Sequence, residues 1–473
     1  MNQQKADIQT KTTIQSIGHD RIDYQFYDPQ FFKTIDKLKE ISNNQDIELI
    51  SLKELVVEGR NSLTGGATPL GAAYLTDGIL FIRVQNVRRT GLELSDAVYI
   101  AKQMHEGELK RSQLLPNDVL LTITGVTYGI ASVFPNGIGP ANINQHVVKI
   151  RVKQNEILPD YLALYLNSEF GRSQTDRNVT GGSRPALDYT SIRGLQILRP
   201  EISGQERIVK AVKEIRQEAA EIKQHIEQLE SSYDKIFLDK LGFRLPEEPK
   251  VKNFLTQLQE EDRFEVKWHY PFYEDVINRI KVSNSRKIES YNHELKYGAS
   301  LCADYVSETP FLRIENLKRN YIDASDLQYV PNSVYRNEIN NLYLQKDDIL
   351  IARSGSVGLC SYVPEGFENY VYGSYIIRLR LLDKHILPEY LSVYLNSILG
   401  KLQFDKQKTG SSQFNINISQ IRDLWIIEPD GILQYNIAKD MFDLVNEVNS
   451  LKTQYNKKLK QADTLFINML QEA

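Results

Sequence analysis

Apolar residues fall on a seven-residue repeat in two stretches of the chain and on short β-branched runs elsewhere. In the first stretch Ile208, Val212, Ile215, Ala219, Ile222, Ile226, Leu229, Tyr233 and Ile236 are separated by alternating steps of four and three. Such steps keep one stripe on one helix face and predict a left-handed coiled-coil seam of about five heptads. Ser203 and Glu206 have capping-box spacing at its start, and Gly242 followed by a linker with Pro246 and Pro249 ends it. The second stretch repeats the register at Ile437, Met441, Leu444, Val448, Leu451 and Tyr455, then weakens through Lys458 and Ala462 before Leu465 and Met469. The unbroken period favours helix on helix over two helices that each lie on their own globule. Ahead of the stretches, 119–124, 147–152, 349–353 and 375–381 read as strands, whereas 159–168 and 388–397 read as helices opened by proline.

The same landmarks occur twice, at a period of about 230 residues. ILPDYLALYLNS at 157–168 returns as ILPEYLSVYLNS at 386–397, FIRVQNV at 81–87 as FLRIENL at 311–317, and NDVLL at 117–121 as DDILI at 347–351. Thr180-Gly181 pairs with Thr409-Gly410, and Ile192-Arg193 with Ile421-Arg422, each leading to a proline, Pro200 or Pro429. Even the entrances correspond: Asp20-Arg21-Ile22-Asp23 before Pro29 mirrors Asp262-Arg263-Phe264-Glu265 before Pro271. Two halves of common descent follow. The fold class predicted is α+β, with two pseudo-repeated α/β globules separated by two long antiparallel coiled-coil helices. The expected boundaries are 1–202 for the first globule, 203–242 for its helix, 243–253 for a linker, 254–429 for the second globule and 430–473 for the second helix. At about 1.5 Å per residue, a helix of about 38 residues extends about 57 Å, comparable with about 17 base pairs.

Composition narrows the classes. With 473 residues, 41% apolar and 25% charged, the chain is neither a mini-protein nor wholly disordered. A polar amino terminus and the absence of an apolar run of about 18 residues predict a soluble, unsecreted, cytoplasmic protein. Cys302 and Cys360 are the only cysteines, so reduced thiols are expected rather than a disulfide framework. A net charge of −4 argues against coating nucleic acid by charge alone and leaves room for a local basic face.

Catalytic motifs are missing. Gly66 and Gly71 have phosphate-loop spacing, but Ala72 and Ala73 stand where Lys and Ser/Thr are required. His19, His105, His146, His225, His269, His293 and His385 are scattered without metal-ligand spacing. No Asn/Asp-Pro-Pro-aromatic segment or glycine-rich cofactor fingerprint is found, and a turn explains Asp347-Asp348 before a strand at least as well as a catalytic dyad does. No catalytic or metal site and no cofactor is therefore expected in this chain.

Binding signals are better placed. Arg83, Arg88 and Arg89 align with Arg313, Lys318 and Arg319 around Asn86 and Asn316, a set suited to phosphate contact, with a solvated charge run as the alternative. The loops at 122–129 and 352–358 offer Thr124, Thr127, Tyr128, Arg353, Ser354 and Ser356 beside glycines that let backbone approach a base edge. A second loop pair offers Ser183 and Arg184 in one half, Ser412 and Gln413 in the other. Arg184 suits a guanine edge and Gln413 an adenine edge if both enter a major groove; tight turns of the scaffold are the alternative.

Duplicated globules closed by heptad helices, with GGATP at 65–69, NDVLL at 117–121, LPDYL at 158–162 and TGGSR at 180–184, resemble the specificity subunit of type I restriction-modification systems over nearly the whole chain. The resemblance implies a non-catalytic subunit whose globules are target-recognition domains and whose helices are spacers. It implies a bipartite, asymmetric double-stranded DNA target, with one half-site per globule and a gap set by the coiled coil. It also implies partners: two modification (methyltransferase) subunits carrying S-adenosylmethionine, and restriction (helicase-nuclease) subunits carrying ATP and Mg, with no membrane. The second half departs from the pattern at Tyr297-Gly298-Ala299-Ser300, and the first ~18 residues have no counterpart, so the half-sites are expected to differ. Two other readings compete. A self-sufficient DNA-modifying or cleaving enzyme would turn over DNA with magnesium and a methyl donor, and a non-DNA coiled-coil scaffold would bind its partners without DNA.

Overall fold

A computed structural model of the chain describes residues 24–45, 47–68, 74–181, 184–250, 254–255, 263, 265–410 and 413–472. These fall into two compact units. One joins the residues up to Glu221 with Gln454 onward, and the other is Ile222–Thr453. The entrance motifs at 20–23, 262 and 264, and the latter part of the phosphate-loop-like run at 69–73, lie outside the described residues.

In the first unit Leu63–Gly65, Val147–Ile150, Val119–Thr122 and Ala131–Val133 form, in that order, an antiparallel four-stranded sheet. Every residue of Val119–Thr122 and Val147–Ile150 is buried, which is why these runs are mostly apolar rather than alternating, with Thr122 and Lys149 as buried polar exceptions. Val119 and Leu121 face the helices Pro159–Asn167 and Glu169–Asn178, while Leu120 faces a second sheet of Val98–Ile100, Ile79–Ile82 and Ala141–Ile143. The second unit repeats the plan. Its larger sheet is His293–Tyr297, Ile376–Leu381, Ile349–Ala352 and Cys360–Tyr362, its helices are Pro388–Asn396 and Ile398–Gln407, and its smaller sheet is Gln328–Val330, Thr309–Leu312 and Val371–Tyr372.

The repeat is held in register by buried polar clamps that recur at an offset of 229 or 230 residues, as from Tyr161 to Tyr390 and from Leu198 to Ile427. The Tyr161 hydroxyl donates to the Leu198 carbonyl at 2.6 Å, and that of Tyr390 to the Ile427 carbonyl at 2.8 Å. Asn167 donates to the Ala131 carbonyl at 2.7 Å and accepts from its amide at 3.1 Å. Asn396 does the same to Cys360 at 2.7 and 3.0 Å. Gln174 brackets the backbone of Gln196, and Gln403 that of Trp425. A buried donor or acceptor left unpaired costs about 1–3 kcal/mol, so such clamps tolerate little change. Asp118 receives Arg151 through two bonds of 2.7 and 2.8 Å, and Asp348 receives Arg380 through two of 2.7 Å. Asp347, like Asn117, takes a left-handed turn conformation with φ near 72°. The Asp347-Asp348 pair is thus a turn and a clamp.

The first long helix spans Ile202–Leu241 and the second Gly431–Gln471, each about 60 Å at 1.5 Å per residue. The capping box expected at Ser203 does not form: the helix already begins at Ile202, and both Ser203 and Glu206 are exposed. Buried Gln205 secures the entry instead, donating to the Pro200 carbonyl at 2.8 Å and accepting from the Leu158 amide at 2.8 Å. Gln434 does the same to Pro429 and Leu387 at 2.9 and 2.8 Å, and Asp430 caps the second helix through the Leu433 amide.

Along the seam, Val212, Ala219, Ile226 and Tyr233 are buried, and Ile215, Ile222 and Leu229 partly so. Ile208, Ile437, Met441 and Val448 are buried, with Leu444 and Leu451 partly so. Within the first unit the helices run antiparallel, with Glu218 bonded to Lys458 and Arg216 4.0 Å from Asp463. Within the second, Glu230 meets Lys452 at 2.7 Å and Lys240 meets Asp440. Toward the carboxy end the buried face is Ala462, Phe466 and Leu470, whereas Leu465 and Met469 are only partly buried. The spacing turns to four there because the partner is a globular core. Phe466 packs 5.9 Å from the Tyr161 ring and 6.5 Å from that of Tyr165. Phe237, 229 residues earlier, packs 5.9 Å from Tyr394 in the second unit.

Candidate nucleic-acid interface

The basic set around Asn86 and Asn316 is largely consumed by the fold. Asn86 and Asn316 are buried, each accepting from the backbone three residues before; Asn86 donates to the Glu93 carbonyl and the Asp96 carboxylate and Asn316 to the Asp323 and Asp326 carbonyls, so their amides are not available to a phosphate. Arg83 donates to the Asp96 carbonyl at 2.8 Å, and Arg313 lies 2.8 Å from Glu315. Arg89 turns onto the Asn167 carbonyl and Asp463, while Arg319 lies 4.5 Å from the Tyr233 ring. Lys318 donates to the Glu315 carbonyl. Among these eight, Arg88 is the exposed side chain that shows no polar partner among the described residues. The recurrence that suggested phosphate contact is therefore mainly the signature of a hairpin built in both units.

The loop candidates gather elsewhere. Because the strands are antiparallel, the exits of Leu63–Gly65 and Val119–Thr122 and the entrance of Val147–Ile150 share one end of the sheet. There the chain of 66–68 approaches so closely that a Cβ on Gly66 would fall 1.7 Å from the Ile143 carbonyl oxygen; a Cβ on Gly298 would fall 2.2 Å from that of Gly373. Glycine is required at both. A fourth loop is pinned by reciprocal Thr180 and Ala186 backbone bonds in the first unit and by Thr409 and Asn415 in the second.

On this frame the first unit builds a polar chain. The Thr68 hydroxyl donates to the Gln145 carbonyl oxygen, and the Gln145 amide lies 3.1 Å from His146 Nε2. His146 Nδ1 is 2.7 Å from Thr124 Oγ1, and an Arg184 guanidinium nitrogen is 3.1 Å from Nε2. Burial first, and the Arg184 charge second, hold the His146 pKa below the usual imidazole value, so the ring is neutral near pH 7. In the second unit Ser300 donates to Ser374 at 3.0 Å, Gln413 donates to Ser354 at 3.0 Å, and Tyr375 stands exposed where the first unit has His146. Arg353 lies 4.8 Å from the Tyr297 ring, and Lys408 lies 4.6 Å from that of the exposed Phe414. Cations beside exposed rings, with a few fixed hydrogen-bonding groups, suit contact with base edges and phosphates.

The structure thus brings Thr124 and Arg184 together, and likewise Ser354, Arg353 and Gln413. Tyr128 is occupied instead, its ring 5.1 Å from the Arg172 guanidinium, and the Thr127 carbonyl accepts from Thr122. Ser356 is exposed at its loop tip, while Ser183 and Ser412 lie outside the described residues. Sequence reasoning missed Gln145, His146, Ser374 and Tyr375. Their signal was available, since 144–146 lead into the strand expected at 147–152, and Ser374 and Tyr375 stand at the start of the one expected at 375–381. Among the described residues, no three His, Cys, Asp or Glu side chains gather as metal ligands, and no helix is long and apolar enough to cross a membrane.

A family model described as the type I restriction modification DNA specificity domain matches residues 86–231 and again 272–461. Over 410 residues the chain is 22% identical to the specificity subunit of the type I restriction enzyme EcoKI of Escherichia coli (strain K12), covering 85% of this chain and 82% of that one. It is 20% identical over 410 residues to the Escherichia coli EcoBI specificity subunit, covering 84% and 79%. A crystal structure of a type I restriction-modification S subunit from M. genitalium aligns with a TM-score of 0.48 at 12% identity, covering 89% of this chain and 96% of that one.

Proposed function

Because the chain belongs to the type I restriction-modification DNA specificity family, we propose that it reads a bipartite, asymmetric double-stranded DNA target, with one half-site per unit. Its relatives are specificity subunits, the non-catalytic components of such complexes, and the chain carries no catalytic role of its own. The observation that carries the reading is the pair of sheet-end loop clusters, built on one frame and presenting different side chains. Arg184 in the first cluster suits the O6 and N7 acceptors of guanine, and Gln413 in the second suits the N6 and N7 groups of adenine. Arg88 is free to meet a phosphate. The antiparallel helix pair sets the gap between half-sites. Two modification subunits bring S-adenosylmethionine, restriction subunits bring ATP and magnesium, and the assembly works in the cytoplasm.

Selection of randomised duplexes by the purified chain with its modification partner tests this directly. A split motif whose two parts differ, and whose binding weakens steeply with salt, is expected. A contiguous motif, or none, overturns the reading. Lengthening both helices by four residues adds about 6 Å, near two base pairs, and is expected to shift the selected gap while leaving the half-sites unchanged. Selected sites that keep the old gap and change their bases overturn the spacer role.

A further inference from the structure

Resting on that reading, we infer that His146 is a positioning residue for Arg184, and that it sets the base preference of the first half-site by holding the guanidinium ready before DNA arrives. A guanidinium only donates, so the nitrogen 3.1 Å from it, Nε2, must offer its lone pair. The proton of the neutral ring therefore sits on Nδ1 and is donated to Thr124 Oγ1 at 2.7 Å. The ring is further aligned by Gln145, whose own carbonyl oxygen is taken by Thr68. Three loops thus converge on one imidazole. Arg184 is exposed, and His146 is the one side chain among the described residues to which its guanidinium bonds, so its other donors stay open for a base edge. Ordering a long side chain in advance removes that cost from the binding step.

The second unit shows the same task solved differently. Its reader, Gln413, is anchored directly on Ser354, which occupies the place of Thr124, so no intermediary is needed. Tyr375 stands where His146 would be and is exposed. The histidine is required only where the reader is a long cation that must be fixed at its tip.

The test uses duplex selection by the full chain with its modification partner, comparing wild type, Arg184→Ala, His146→Phe and His146→Gln, with thermal unfolding to verify folding. His146→Phe removes the acceptor; it is expected to relax, by about tenfold, the preference at the same base position that Arg184→Ala relaxes, and to leave the second half-site unchanged. His146→Gln keeps a side-chain acceptor and is expected to restore part of the preference. Undiminished preference in a folded His146→Phe protein overturns the proposal, as does equal relaxation of both half-sites or no effect of Arg184→Ala. If wild type selects no split motif, the DNA-reading role itself falls, and that outcome is separate from any difference among the variants.

Discussion

Where the hairpin meets the long helix, the two units part company. In the second, Tyr362 and Phe442 pack edge to face at 5.6 Å, and the neighbouring Tyr321 is partly buried. In the first, the equivalent positions hold Val133, Lys213 and Gly91, and a cleft of about 880 Å³ opens between them, lined also by Arg89, Leu164 and Arg216. The clamps beneath are unchanged, Asn167 matching Asn396 and Gln205 matching Gln434. Duplication has preserved what satisfies buried backbone and let drift what merely fills space at the surface, because the first kind of change strands a polar group and the second does not.

The sharpest way to break this comparison is at the exchanged helix ends. Phe466→Ala is expected to cost about 4 kcal/mol and to loosen the first unit selectively; Phe237→Ala is expected to do the same to the second. Hydrogen exchange localises the damage, and loss confined to the helix carrying the substitution would contradict the shared cores. Next come the clamps. Asn396 also donates to buried Asn320 at 2.6 Å, so Asn396→Ala is expected to cost about 3 kcal/mol against about 2 for Asn167→Ala, measured by denaturant unfolding. Equal costs would show that the extra bond contributes nothing.

Filling the cleft in the image of the other unit is a smaller test. Val133→Tyr combined with Lys213→Phe is expected to gain about 1 kcal/mol from the aromatic pair. The exposed Lys213 to Asp160 contact of 2.8 Å that it removes contributes little. A loss of stability would mean that the backbones differ at this junction. A further effect is in pH. Burial lowers the Lys149 pKa to about 8, against a raising influence from Asp118, whereas the equivalent buried residue is Arg378. Between pH 8 and 10 the unfolded chain binds more protons at this lysine than the folded one, so its contribution to stability grows as pH rises. Lys149→Arg is expected to abolish that rise, read from denaturation at pH 8, 9 and 10.

Much of the architecture was legible because it is periodic. The seam residues, the proline-opened helices and the strands at 119 and 349 follow from local spacing, and the repeat located its own equivalents. The site was harder to see. Asn86 and Arg83 recur because a hairpin needs them, and recurrence alone does not separate a structural amide from a reading one. His146 escaped notice because its neighbours, Thr68, Thr124 and Arg184, come together only once the antiparallel pairing of three strands is known. Gln205 replaced Ser203 as the anchor for a similar reason: its partner, Leu158, lies in a different element.

The insertion of Phe466 and Leu470 into the first unit has a consequence for synthesis. Residues 24–221 leave the ribosome long before 454–470, yet the core they build stays open until that late segment docks. The usual order, in which the earlier part of a chain settles while the later part is still being made, is thus not expected for the first unit. A nonsense change near codon 450 would therefore be expected to unsettle the beginning of the molecule as well as its end.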